Sequence, residues 1–134
     1  MVFISIEMKV YYWSPFINEV ATIKAVTNSI LSIEKYSKKK IEPFLINAVG
    51  EWNSKNEYLK KKKINTINFY KFDILNYLPK YGFLRSRITY LIIFFLTIVK
   101  LHKLIKKKEP DFIILHLVTF IPLILLAIFN YKTK

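Results

Sequence analysis

The chain has 134 residues, 53% of them hydrophobic and 16% aromatic, which suits one folded domain and is too apolar for disorder. It has no cysteine and only His102 and His116, which excludes disulfides and thiolate metal sites and leaves too few imidazoles for zinc without carboxylates. The net charge is +13, and because Arg85 and Arg87 are the only arginines, lysine supplies 20 of the 22 basic residues. This charge fits either a polyanionic partner or a compositional drift toward Lys, Ile, Asn and Tyr. Long apolar segments beside the basic runs, with no Arg-rich reading helix, argue against nucleic acid and for a membrane surface.

Residues 1–6 are apolar but lack the basic start and cleavage site of a secretory signal, and 1–7 read as an extension before a natural start at Met8. Residues 9–13 predict strand one. A tight polar loop follows over 14–19, and residues 20–38 predict an amphipathic helix, with Val20, Ile23, Val26, Ile30 and Ile33 at helical spacing. Asn18 is its expected N-cap. Residues 41–49 predict strand two, ended by Gly50 and irregular at Glu42 and Pro43. Residues 54–63 predict a short charged helix, and 64–70, which alternate, predict strand three. Residues 73–87, with Pro79 and Gly82, form a connector. Residues 88–108 predict a long helix, apolar at first and basic at its end, where cations complement the helix dipole. Pro110 stops it. Residues 112–117 predict strand four, and 119–131 a last helix with Pro122 in its first turn.

Strands alternating with helices predict an α/β, Rossmann-like fold: a partial parallel sheet of order 3-2-1-4 with right-handed crossovers and flanking helices. Ligands of such sheets bind beyond the carboxyl ends of the strands, where strand order reverses. The loop after strand one and His116 at the end of strand four would share that crevice. A strand turning sharply into a helix also offers the helix's unpaired first N–H groups to an anion. Glu19 serves there as a dipole partner or as an acceptor-site base. A neutral His116 can donate one hydrogen bond and accept another; on an apolar strand it can equally be a satisfied core residue. His102, among lysines, reads as a surface residue. No paired carboxylates, Ser/His/Asp set or phosphate-cradling glycine loop is visible, and no metal is expected.

Two stretches carry a resemblance: Met8-Lys-Val-Tyr-Tyr-Trp-Ser-Pro-Phe-Ile-Asn-Glu-Val-Ala-Thr-Ile-Lys-Ala-Val26 and Glu109-Pro-Asp-Phe-Ile-Ile-Leu-His-Leu117. They resemble the N-terminal half of a family 4 retaining glycosyltransferase with two Rossmann-like domains, over residues 8 to about 131. The resemblance implies hexosyl transfer from a nucleotide-sugar donor to a glycan or lipid-linked acceptor, as in polysaccharide or lipopolysaccharide synthesis, without a cofactor. It implies that His116 positions the donor sugar as the catalytic candidate. Ser14, Pro15, Asn18, Glu19 and Thr22 become the substrate- and acceptor-binding candidates. The family places glycines in this loop; here Asn18 and Ala21 stand instead. On this resemblance residues 8–134 are an incomplete acceptor-side domain. The donor-binding domain, with its paired-glutamate motif, is absent or supplied by a second chain, and the isolated chain is expected to be inactive.

Of the lysine runs at 38–40, 60–63 and 106–108, the last follows an apolar helix, which is an interfacial membrane pattern. Lys100, Lys103, Lys106, Lys107 and Lys108 are the membrane-facing candidates, on the cytoplasmic side of an anionic membrane. A rival expectation is a small integral membrane protein without catalysis. Residues 112–131 make 20 without a formal charge, about the length of a span; within 88–108, residues 88–99 add 12 more, short for a span, and could pair with it in a hairpin whose lysine-rich link, 100–108, is cytoplasmic.

Overall fold

The computed structural model describes residues 7–18, 21–38 and 40–115. Four parallel strands form one sheet in the order β3-β2-β1-β4. They are β1 (Met8–Trp13), β2 (Ile41–Asn47), β3 (Asn65–Asn68) and β4 (Phe112–Leu115). Three helices connect them: α1 (Thr22–Tyr36), α2 (Asn56–Lys61) and α3 (Phe83–Lys108). The order and direction agree with the alternation read from the sequence, and the class is a Rossmann-like α/β fold.

β1 shows why both sheet faces are covered. Successive side chains leave a strand on opposite sides, and all four residues from Val10 to Trp13 are buried. Val10 and Tyr12 join Leu45, Trp52 and Leu59 under α1, which contributes Val26 and Ile30. Tyr11 and Trp13 join Ile46 and Ala48 on the other face, under Leu101 and Ile105 of α3. A third group, Ile17, Val49, Leu75 and Ile93, closes the carboxyl end beneath α3.

Several boundaries differ from the expected ones. α1 begins at Thr22, two residues after the expected Val20, and no side chain among the described residues caps it. The expected cap, Asn18, lies exposed in the bend before the helix, too early to reach its first N–H groups. β2 ends at Asn47 because Ala48, Val49 and Gly50 already turn, Gly50 at φ +96°. The short charged helix is divided into a 3-10 turn, Asn53–Lys55, and α2. β3 keeps only four residues, since Phe69 and Tyr70 run past the end of its partner; the Phe69 amide donates to the Asn47 carbonyl at 3.1 Å. The connector is shorter than expected, for it holds a 3-10 turn, Ile74–Tyr77, and α3 starts at Phe83, directly after Gly82 at φ +95°.

α3 ends by a left-handed Glu109 at φ 43°, whose amide donates to the Ile105 carbonyl at 2.8 Å. The next two residues aim β4. Asp111 accepts from the Lys9 amide at 2.8 Å and donates its own amide to the Lys9 carbonyl at 3.0 Å. That exchange sets the register that places Val10 opposite Phe112. β4 is described to Leu115; residues 116–117 and the helix expected over 119–131 lie outside the described residues.

Candidate functional site at the carboxyl edge of the sheet

At the switch point, Trp13 of β1 stands opposite Leu115 of β4. The loop leaving Trp13 is packed rather than open: Ser14, Pro15, Phe16 and Ile17 are buried. Phe16 meets Trp52 edge-on, ring centroids 5.0 Å apart. Asn18 is exposed beside them, and Thr22 is half-buried as the first residue of α1. Ser14 is fully buried, and its hydroxyl has no hydrogen-bond partner among the described residues. The structure therefore brings Ser14, Pro15 and Asn18 to one edge, with Thr22 at the adjoining helix start. Glu19 and His116 lie outside the described residues.

The turn after β2 holds a cluster that the sequence reading passed over. Asn47, at the end of β2, is its hub. Its side-chain amide donates to Asn53 Oδ1 at 2.7 Å and to Asn68 Oδ1 at 2.8 Å. Its oxygen accepts from the Trp52 amide at 3.2 Å. One buried side chain thus ties β2, β3 and the following turn together. Glu51 sits beside it, fully enclosed, and its carboxylate accepts the amides of Ala48 at 3.0 Å and Val49 at 2.8 Å.

Burial pushes the Glu51 carboxyl up from 4.5 to about 7; the backbone amides pull it down and nearby Asp73 pushes it up again. Gly50 allows this arrangement. A Cβ there would stand 2.8 Å from the Asp73 Cα, so the two backbones meet where only glycine fits. One oxygen of Asp73 is buried without a partner among the described residues, as are the indole nitrogens of Trp13 and Trp52. The available signal was a carboxylate one residue beyond the glycine that ends an apolar strand.

Chemically, the edge offers hydroxyl and amide groups and the free N–H groups at the start of α1. Glu51 is too enclosed to touch a ligand; it shapes the turn. Among the described residues no group of three His, Asp or Glu side chains can hold a metal ion. His102 is half-buried on α3. Lys100, expected to face a membrane, is instead turned inward: its ammonium donates to the Phe69 carbonyl and lies 3.7 Å from the centre of the Tyr70 ring. Lys103, Lys106, Lys107 and Lys108 are exposed. No family model, characterised protein or solved structure matches this chain.

Proposed function

We propose that this chain forms the acceptor side of a retaining glycosyltransferase of the two-Rossmann-domain type. It would move a hexose from a nucleotide-sugar to a glycan or lipid-linked acceptor at the cytoplasmic face of a membrane. The observation that supports this most is the position of the loop after β1: it leaves the sheet at the β1–β4 switch point, where open parallel sheets hold their ligands. The resemblance of the residues around that point adds the reaction class. In this reading the start of α1 faces the diphosphate, Asn18 and Thr22 meet the acceptor or donor hydroxyls, and His116, next in sequence after Leu115, hydrogen-bonds the donor sugar; Ser14, a binding candidate by sequence, is fully buried and shapes the loop instead of touching substrate. A neutral imidazole suits that role because it can donate and accept at once.

Because the isolated chain is expected to be inactive, the test is transfer from a panel of radiolabelled nucleotide sugars into lipid and glycan fractions of membranes from the source cells, with the gene intact or deleted. More label with the gene intact is expected for at least one donor. His116→Ala should lower it more than tenfold while circular dichroism stays unchanged, as expected for loss of a group that positions the sugar. Equal label with the gene intact and deleted, for every donor, rejects the transferase reading; undiminished transfer by His116→Ala rejects the role given to that residue.

Among the described residues the integral-membrane reading draws on one feature, while most of the span expected over 112–131 lies outside them. α3 is 26 residues long with a mean hydropathy of 1.9 in its most apolar window, enough to cross a bilayer. Against it, Ile93, Leu101 and Ile105 of that helix are buried in the core clusters shared with the sheet. A span would have to give up those contacts.

A further inference from the structure

We propose that α3 docks this domain on an anionic lipid bilayer, lying flat in the headgroup layer with the face turned away from the sheet inserted among the lipids. The proposal goes beyond the transferase reading and stands whether or not sugar is transferred.

α3 has two apolar faces. Thr89, Ile93, Thr97, Leu101 and Ile105 recur every four residues and are buried. Leu84, Ile88, Leu91, Phe95 and Val99 recur at spacings of four, three, four and four on the opposite side. All five are exposed, Leu84 by 69% and Phe95 by 70% of their surface. A stripe of that length runs about 22 Å along the helix. An uninterrupted apolar stripe of this kind marks an interaction surface.

The charges around it identify the occupant. From Ile74 to Lys108 there is no acidic residue. Arg85 and Arg87 flank the stripe at its start, Arg87 stacked on the Phe83 ring at 4.2 Å, and Lys103 and Lys106 continue it at its end. An apolar face bordered by basic residues and free of acidic ones suits a helix lying in an anionic membrane interface. Exposed Tyr77 and Tyr81 precede the helix, and tyrosine favours the headgroup level. A second copy of this chain is disfavoured, because two such faces would set cations against cations with nothing to neutralise them. The basic contribution differs from the sequence expectation in Lys100, which is occupied, while Arg85, Arg87, Lys103 and Lys106 border the stripe.

The placement fixes the orientation of the crevice. α3 begins at the carboxyl edge of the sheet and ends at the amino edge, since it joins the end of β3 to the start of β4. With α3 flat on the bilayer, the switch point opens sideways along the lipid surface. A headgroup-linked acceptor could reach it without leaving the membrane.

The experiment is flotation of the full chain with phosphatidylcholine vesicles, with and without phosphatidylserine. Binding should require phosphatidylserine. Leu91→Gln/Phe95→Gln should weaken it at least about tenfold through lost apolar burial. Lys103→Gln/Lys106→Gln should weaken it by about tenfold at low salt and hardly at all at high salt. Phe95→Trp keeps an apolar aromatic at an exposed position, so it tests the contact even if the double variants fold poorly. Its emission should shift to the blue on binding and be quenched by lipids brominated along the acyl chain. Each of four results overturns the proposal: no binding by the wild-type chain, wild-type binding by Leu91→Gln/Phe95→Gln, absence of quenching, or retention through carbonate extraction, which would show a span. A lipid-free dimer dissolved by Leu91→Gln/Phe95→Gln overturns it in favour of a second copy.

Discussion

Glu51 makes the stability of this fold depend on pH in a direction opposite to that of most carboxylates. Its carboxyl is raised from 4.5 to about 7 by burial, so the folded chain binds that proton more tightly than the unfolded chain does. Stability is then greatest below the unfolded value, falls as pH rises from about 4.5 to about 7, and levels off above. The full difference is roughly 3 kcal/mol, a large part of the stability of a domain this size. Urea unfolding at intervals between pH 4.5 and 8 can follow it, read by the fluorescence of Trp13 and Trp52, both fully buried. Glu51→Gln should remove most of the slope. At pH 8 the variant loses a buried negative charge, but its NH2 group meets one of the two amides that the carboxylate satisfied, a conflict worth about 1–3 kcal/mol. Its stability at pH 8 should therefore stay near that of wild type, and the change in slope is the diagnostic. Asp73→Asn should shift the falling limb to lower pH, because the Asp73 charge raises Glu51. A wild-type stability that is flat across this range, or an equal slope in Glu51→Gln, would refute the reasoning.

Three further outcomes are expected. Gly50→Ala should cost at least about 2 kcal/mol, since it combines the φ of +96° with a Cβ 2.8 Å from the Asp73 backbone, whereas Gly82→Ala, at φ +95° in open space, should cost about 1; thermal denaturation of the pair separates clash from strain. Asn47→Ala should lose about 2–3 kcal/mol in chemical unfolding, because it strands the Trp52 amide and frees Asn53 and Asn68 together. Leu101→Ala should cost about 2–5 kcal/mol by leaving a cavity between α3 and the sheet, checked by the same unfolding curves.

The parallel sheet and its order were legible because four apolar runs alternate with helical patterns and leave few topologies to choose from. The carboxyl edge was legible as a place, since it follows from topology, but its contents were not. Asn47, Asn53, Asn68, Glu51 and Asp73 are scattered over 27 positions, and ordinary polar residues at strand ends carry no periodic signal. What assembles them is the close approach of the Gly50 and Asp73 backbones, a contact that no local pattern announces. Helix starts were misplaced for a related reason. Asn18 has the chemistry of a cap, but the buried side chains of Phe16 and Ile17 hold the chain against the sheet, and α1 does not begin until Thr22.

α3 was ambiguous from sequence because a helix apolar on two sides can be read as a span, a core helix or an interfacial helix. The choice lies in which side the sheet takes. The buried side carries two threonines, Thr89 and Thr97, whose hydroxyls are satisfied within the chain, by the carbonyls of Pro79 and Ile93. Neither threonine needs water, so that side can close on the protein without stranding a polar group. The outward side has larger side chains and no acidic neighbours, and is flanked by cations that cannot be buried singly. Packing that side into a protein core would require partners for Arg85, Arg87, Lys103 and Lys106; an anionic headgroup layer supplies them at the depth where the helix lies. The division of the helix into a side that fits a sheet and a side that fits a lipid surface therefore follows from how each polar group on it is satisfied.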